Sequence, residues 1–524
     1  TGIRNTLIGG LSGDAITTAN FNTAVGYNSL GLTNTGTLNV AVGDNALNQN
    51  TTGGSNVAVG QNALGSNTTA ANNTAVGFSA LSTNSTGTAN TALGKSAGTS
   101  TTTGTDITAL GALALQTNTT GSNNVAVGRS ALQANITASA GTAVGYQALR
   151  DNTTGAQNTA TGFNSLVLNT TGANNTASGY QALFYNSTAS NNTAVGHSAL
   201  FANTTGTQNV SVGALSLDAN TTGDNNVSLG YGALTANTTA DNNVAIGRTA
   251  LEANTTGAGN VAIGKDALIA NTTASNNTAV GMDALTTNTT GASNTAMGHN
   301  SLANNTTASN NAAFGVNTLN VNTTGAQNTA MGAGALLRNT TASNNTAVGY
   351  NSLDHATTGA NNTATGMNSL TANTTGGSNV AVGGSALGAN TTASNNTAVG
   401  NDALTANTTG TQNSAVGTSA LAANTTAADN TALGFQALLS NTTATNNTAV
   451  GAGALRATVT GAGNTAVGTA SQYASTGANN TSMGLNSMRY NTTGGDNVSV
   501  GYNSLSANTT GSTNIAIGKD ALDS

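Results

Sequence analysis

The sequence predicts an all-β fold, a parallel β-solenoid (β-roll) of about 31 coils of 17 residues. Glycine recurs every 17 residues from Gly9 to Gly468, and the series resumes at Gly484 after one 16-residue step. Residues at a fixed distance from this glycine are of one kind from coil to coil. Proline is absent, helix formers are scarce, and 17 residues cannot hold a helical hairpin of ~34 residues. These observations favour stacked β coils.

Each position of the coil forms a column along the stack when the repeated glycine is numbered position 0. Position 4 is Leu in 27 of 31 coils, and position 16 is an apolar residue in 28 of 31. Position 13 is Asn in 29 of 31, and position 7 is Asn in 24 of the 30 coils that reach it. Since stacked strands lie ~4.8 Å apart, 31 coils would extend on the order of 150 Å.

The strand of each coil is predicted in the segment Asn-Thr/Val-Ala-Val-Gly, which alternates with period 2. The Asn-Thr-Thr-Gly/Ala segment consists of residues that favour turns. Positions 14 and 16 should share one strand face and position 15 the other. We expect Val at position 16 and Leu at position 4 to form the interior. The predicted core includes Leu30, Leu47, Leu64, Leu81, Leu166, Leu183, Leu200, Val195 and Val212.

The two asparagine columns predict hydrogen-bonded ladders, because an Asn side chain both donates and accepts when it stacks on an identical residue. Position 13 is the stronger candidate for burial. The predicted ladder includes Asn175, Asn192, Asn209 and Asn226. The Asn-Thr-Thr glycosylation motif is interpreted as incidental turn chemistry, since glycans ~4.8 Å apart would crowd one another.

Positions 3 and 15 carry Ala or Ser nearly throughout. A continuous strip of small residues would allow another backbone to approach closely, so we expect a lateral partner along the array, with three-fold association favoured. The alternative is that these residues line a narrow interior.

The array is predicted to run through residues 1–524 as one continuous domain and to be a segment of a longer chain. Two coils should be irregular. Coil 94–110 has Gly98 at the leucine position and threonines in place of the Asn corner. Coil 468–483 lacks one residue and has Gln472 at the leucine position, where an amide would need hydrogen-bond partners.

The charge content excludes several classes of function. Ten Lys+Arg and 16 Asp+Glu give a net charge of −6, and the basic residues form no patch that would bind nucleic acid. No apolar run reaches the ~18 residues of a membrane span. Cysteine is absent, and His197 and His299 lack neighbouring residues that would complete a catalytic triad. We expect no catalytic, cofactor or metal site, and hence a non-enzyme.

Position 1 is the one column that varies widely, and it holds nine of the sixteen aromatic residues. Such a stripe could stack on sugars or contact a partner, or it could shield strand edges; the second interpretation is favoured. The candidate binding stripe is Tyr27, Phe78, Tyr146, Phe163, Tyr180, Tyr231, Tyr350, Phe435 and Tyr502.

Residues 192–200, Asn-Thr-Ala-Val-Gly-His-Ser-Ala-Leu, resemble the β-roll repeats of trimeric autotransporter adhesin heads. The 17-residue unit is more similar still to repeat arrays of phage tail-fibre-like proteins. The resemblance covers residues 5 to 522, and it implies a left-handed, homotrimeric, elongated shaft.

The leading functional prediction is therefore a structural fibre, extracellular or on a virion tail, that supports adhesion or receptor binding. Its expected partners are copies of itself and a cell-surface receptor or glycan, with no nucleic acid and no membrane insertion. One alternative is a monomeric ice-binding or ligand-templating solenoid that uses threonine columns 8, 9 and 14. Another is a surface filament that assembles end to end.

Overall fold

The computed structural model describes residues 2–523. Thr1 and Ser524, the ends of the predicted array, lie outside the described residues. The chain divides into two compact units between Asn260 and Val261. Each unit is a parallel β-solenoid with 17 residues per coil, and residues 2–523 contain no helix. The predicted fold class and coil length are confirmed.

The first unit contains fifteen three-residue strands, one in each coil. They are β1 Thr6–Ile8, β2 Thr23–Val25, β3 Val40–Val42, β4 Val57–Val59, β5 Thr74–Val76, β6 Thr91–Leu93, β7 Thr108–Leu110, β8 Val125–Val127, β9 Thr142–Val144, β10 Thr159–Thr161, β11 Thr176–Ser178, β12 Thr193–Val195, β13 Val210–Val212, β14 Val227–Leu229 and β15 Val244–Ile246.

The second unit contains sixteen strands of the same length. They are β16 Val261–Ile263, β17 Thr278–Val280, β18 Thr295–Met297, β19 Ala312–Phe314, β20 Thr329–Met331, β21 Thr346–Val348, β22 Thr363–Thr365, β23 Val380–Val382, β24 Thr397–Val399, β25 Ser414–Val416, β26 Thr431–Leu433, β27 Thr448–Val450, β28 Thr465–Val467, β29 Thr481–Met483, β30 Val498–Val500 and β31 Ile515–Ile517.

Within each unit every strand pairs in parallel with the next, so that like positions stand opposite each other. In β12 and β13, for example, Ala194 faces Ser211 and Val195 faces Val212. Hydrogen bonds between coils continue outside the strands: the Leu200 N–H donates to the Ser216 carbonyl at 3.0 Å. The backbone is thus bonded from coil to coil even in its turns, as buried peptide groups require.

The interior consists of small residues and leucine. Ala194 at position 15, Ala199 at position 3 and Leu200 at position 4 have no exposed surface. The predicted core leucines, from Leu30 to Leu200, are likewise fully buried.

The strand faces are the reverse of those predicted. Val195 is 37% exposed and Val212 is partly exposed, while the alanine or serine between positions 14 and 16 is buried. The prediction that Val195 and Val212 lie inside is therefore wrong. A leucine from each coil already fills much of the space, and the thin interior leaves room for only a methyl or hydroxymethyl group on the strand.

The small columns line this narrow interior, which was the alternative interpretation. They present no strip on which a second backbone could lie, so the lateral approach predicted through positions 3 and 15 is wrong. Where serines occupy these columns, they bond to each other inside: the Ser216 hydroxyl donates to the Ser228 hydroxyl at 2.7 Å.

Three positions of a regular coil lie in the left-handed backbone region. In the coil of Gly196 these are Ser198 (φ 52°), Leu200 (φ 51°) and Gln208 (φ 59°). Leucine rarely adopts this conformation, which costs ~1–2 kcal/mol. Full burial of the side chain contributes ~1.5–3 kcal/mol, enough to offset that strain.

The position-0 glycine has a different conformation that is closed to other residues. Gly196 has φ 137°, and a Cβ at this site would lie 2.6 Å from the carbonyl carbon of Gly213 in the next coil. Both the dihedral angle and the closeness of the next coil require glycine here.

Both asparagine columns are buried and form ladders, by different bonds. At position 13 the Asn192 Oδ1 accepts from the Asn209 backbone N–H at 2.9 Å, and its Nδ2 donates to the Gly206 carbonyl at 2.8 Å. Asn175, Asn209 and Asn226 repeat this arrangement. The ladder between side chains is in position 7, where Asn203 Nδ2 donates to Asn186 Oδ1 at 2.9 Å.

The irregularity predicted for coil 94–110 is absent. Strands β6 and β7 pair in the usual register, and the Gly98 N–H bonds to the Ala114 carbonyl at 2.9 Å. Ile107 occupies an asparagine position and is 1% exposed. Its Cδ1 lies 3.6 Å from an ideal Cβ on Gly98, so isoleucine fills the space that the missing leucine leaves. Gly13 is likewise covered by Leu7 and Ile16.

Coil 468–483 does depart from the repeat. The turn that follows Gln472 is shortened, yet Thr465 and Thr481 on the flanking strands still pair. Gln472 is fully buried, and its Nε2 donates to the ladder residue Asn464 at 2.9 Å. Its Oε1 has no hydrogen-bond partner, so the amide is only half satisfied.

Replacing a position-0 glycine should destabilise the fold far more than replacing a position-10 glycine. We expect Gly196→Ala to cost about 2–5 kcal/mol, because it adds backbone strain and a clash with the next coil. Gly206→Ala is the matched control, since eleven of thirty coils have Ala at position 10. Denaturant unfolding and exchange of the Gly213 amide would measure both effects. Equal losses would contradict the role assigned to position 0.

Gly98 and Ile107 should be energetically coupled. Ile107→Asn alone leaves a cavity beside Gly98, and Gly98→Leu alone crowds Leu81 and Ile107. The double variant restores the common coil, so its loss should be smaller than the sum by about 1–3 kcal/mol. A double-mutant cycle in unfolding free energy tests this, and strict additivity would show that the two sites do not compensate.

Candidate interaction surfaces

The outer strand face is the largest regular surface of each unit. It consists of positions 14 and 16, which point outward because position 15 is buried. Position 14 is mostly Thr or Val, position 16 is apolar in 28 of 31 coils, and neither position carries a charged residue in any coil. Exposed apolar stripes of this kind are typical of association sites.

The position-1 stripe is exposed in both units. Its nine predicted aromatic residues all retain substantial accessible surface. In the first unit they are Tyr27, Phe78, Tyr146, Phe163, Tyr180 and Tyr231, and in the second unit they are Tyr350, Phe435 and Tyr502.

Four neighbouring coils of the first unit turn this stripe into a ring stack. The centroids of Tyr146 and Phe163 are 5.2 Å apart, those of Phe163 and Tyr180 are 5.4 Å apart, and those of Tyr180 and His197 are 5.2 Å apart. The planes differ by 6–14°. Because each inner ring is covered on both faces by its neighbours, it presents its edge to solvent. This favours the interpretation of shielding over that of stacking on sugars.

A second aromatic group lies beside this stack at positions 5 and 6. The Phe184 and Phe201 rings stack at 5.3 Å, and the Tyr185 ring packs edge-on against both, at 4.8 and 5.1 Å. Residues 146–201 therefore contain six of the sixteen aromatic residues. Sequence reasoning examined position 1 and did not identify this group.

Sequence reasoning also missed a cationic group at position 5 of the second unit. Arg456, Tyr473 and Arg489 occupy this position in three successive coils, and Tyr490 follows at position 6. Alignment of the sequence by coil would have revealed two arginines on either side of a tyrosine in one column. We call these four residues the arginine–tyrosine cluster.

Acidic groups are few and scattered. Among residues 2–523, no group of three or more His, Asp or Glu side chains could hold a metal ion. Burial raises the pKa of Asp218, and the backbone N–H groups of Asp218 and Ala219 offset only part of that effect. Over the same residues, no helix is long and apolar enough to cross a membrane.

Comparison of the chain with models of known protein families and with curated proteins gave no match. The assignment of this solenoid to a family of fibres thus depends on the resemblance of its motif.

Asp218 should make stability depend on pH. A carboxyl group with a raised pKa in the folded state favours folding at low pH, and that contribution is lost as pH rises from the ordinary Asp value, ~3.9, through the raised value. Asp218→Asn should therefore gain stability over the parent protein as pH increases through this window.

Melting temperatures at pH 3 and pH 7 measure this difference. Asp224→Asn is the control, because Asp224 accepts a hydrogen bond from the Thr207 N–H, at 2.5 Å. A constant difference between Asp218→Asn and the parent at both pH values would contradict the burial argument.

Proposed function

We propose that the chain is a non-catalytic structural fibre, extracellular or on a virion, in which three copies associate side by side through their outer strand faces and support adhesion. The single observation that carries this proposal is the exposed, uncharged stripe of positions 14 and 16. It replaces the small-residue columns as the candidate interface, because those columns are buried.

The stripe favours a second copy of this chain as its partner. A copy repeats every ~4.8 Å along the stack, as this chain does. It can therefore keep the same contact in every coil, whereas a partner with another period would lose register within a few coils. The absence of charge from the stripe means that like surfaces do not repel each other. Closed symmetry of identical chains is also the commonest form of soluble assembly.

Association through the stripe would depend on many coils together. Since Val195 keeps 37% of its surface exposed, covering it would contribute ~0.5–1 kcal/mol. Fifteen such coils would contribute ~8–15 kcal/mol. The loss of translational and rotational freedom, ~4–15 kcal/mol, is incurred only once. A long repeat array is therefore the form in which such weak contacts become sufficient.

The ice-binding alternative has less support. Position 14 is outward but mixes Thr with Val. At position 8 the hydroxyls bond to the next coil, as Thr204 Oγ1 does to the Thr221 carbonyl at 3.0 Å, so they are engaged in the fold. Handedness, the receptor and end-to-end assembly stay predictions.

Cysteine cross-linking provides a direct test, because the chain has no cysteine. Val195→Cys places a thiol on the outer strand face, and Ala214→Cys places one at position 1 of the next coil as the matched control. With three copies around one axis, a short bifunctional cross-linker should join up to about two-thirds of the Val195→Cys chains into pairs and leave Ala214→Cys single.

Sedimentation of the uncross-linked protein should give a mass near three chains. A mass of one chain would overturn side-by-side association, and a mass of two would overturn three-fold association. Equal cross-linking of both variants would overturn the choice of interface.

A further inference from the structure

We propose that the arginine–tyrosine cluster is a binding site for a sugar that carries a carboxylate, such as a uronic or sialic acid. This site does not depend on side-by-side association of chains. It lies at the corner of three successive coils of the second unit, those that begin at Gly451, Gly468 and Gly484.

The four side chains form one connected group. Arg456 Nη1 donates to the Tyr473 hydroxyl at 2.6 Å, and its Cζ lies 5.7 Å from the Tyr473 ring centre. Arg489 Cζ lies 6.0 Å from the same ring and 5.6 Å from the Tyr490 ring. Arg489 Nη1 donates to Asn486 Oδ1 at 2.8 Å, which orients the guanidinium group.

No carboxylate neutralises these cations within residues 2–523, although the chain as a whole is acidic. By contrast, Arg150, in the same corner of the first unit, is paired with Asp151 at 2.6 Å. Positions 5 and 6 of the coils around the cluster contain only Leu, Ser and Ala besides its own residues. The cluster is therefore a local positive patch that lacks its anion.

Two departures from the repeat meet at the cluster. The coil of Tyr473 is the one that lacks a residue. Position 2 of the preceding coil is Gly453, and a Cβ there would lie 3.8 Å from Tyr473 Cε2 and 3.9 Å from Arg456 Cδ. A larger side chain at Gly453 would occupy the space beside the ring and the guanidinium group.

The chemistry of the cluster fits an acidic sugar. Guanidinium groups bind carboxylates through paired, charge-assisted hydrogen bonds, and tyrosine offers an apolar ring with a polar tip. The two arginines stand two coils apart, roughly 10 Å, a span that one or two sugar rings would bridge. Tyr490 is the most exposed member, with 58% of its surface accessible, so one ring of the cluster is open to a ligand.

Titration of the full chain with sialyllactose and a glucuronic acid disaccharide, followed by calorimetry, tests the proposal. Lactose and cellobiose serve as neutral probes, and sodium phosphate serves as a simple anion. We expect the acidic sugars to bind at least tenfold more tightly than the neutral ones, and added salt to weaken binding. Arg489→Gln and Arg456→Gln should each lower affinity about tenfold or more.

Arg338→Gln is the matched control, since Arg338 is an exposed corner arginine without a ring contact, and it should leave binding unchanged. Arg489→Lys keeps the charge but loses the paired geometry, so it should lie between the parent and Arg489→Gln. Melting temperature and sedimentation mass, measured on each variant, separate loss of binding from loss of fold or of association.

Three results would overturn the proposal. If no sugar binds and the arginine variants only lower the melting temperature, the cluster merely stabilises the short coil. If phosphate binds as tightly as the acidic sugars, the site selects charge and not a sugar. If neutral sugars bind equally well, the arginines are not recognition residues. A protein that is a single chain in solution but binds acidic sugars would refute the trimer alone.

Discussion

The contact between successive position-0 glycines constrains every other part of the coil. At Gly196 the next coil is so close that a methyl group would lie 2.6 Å from the carbonyl carbon of Gly213. With the coils held at strand spacing, like residues stack in columns, and backbone groups in the turns reach partners one coil away. The Asn192 side chain can then bond to the Asn209 N–H and the Gly206 carbonyl together. The ladders follow from the spacing.

The same closeness makes the interior thin, and this is why one part of the fold escaped prediction. The period of 17, the buried leucines and the strand position could all be read from the sequence. Period-2 alternation shows that positions 14 and 16 share a face, but it does not show which face is inside. Hydrophobicity favoured Val195; available volume favours Ala194. The usable signal was size, since position 16 accepts Val, Met, Phe and Thr, whereas position 15 is Ala or Ser in all coils except that of Leu7.

Departures from the repeat could be located in the sequence but not interpreted there. Gly98 looked like a defect because its lost leucine was visible, while the repair came from Ile107, nine residues away in a different column. Only the fold shows that positions 4 and 13 face each other across the interior. The arginine–tyrosine cluster escaped prediction for a related reason, because Arg456, Tyr473 and Arg489 are 16 or 17 residues apart and become neighbours only when coils are stacked.

The division between a uniform interior and variable outer columns has a consequence for function. Each coil is held by its own alanines, leucine and asparagines, so an outward residue can change in one coil without altering the next. Recognition chemistry can therefore be local even where the scaffold is monotonous. The stack of Tyr146, Phe163 and Tyr180 satisfies its own ring faces, and Arg150 has its carboxylate. The cluster around Tyr473 has two cations without a counter-charge, which is why ligand binding is better assigned to that corner than to the aromatic stripe.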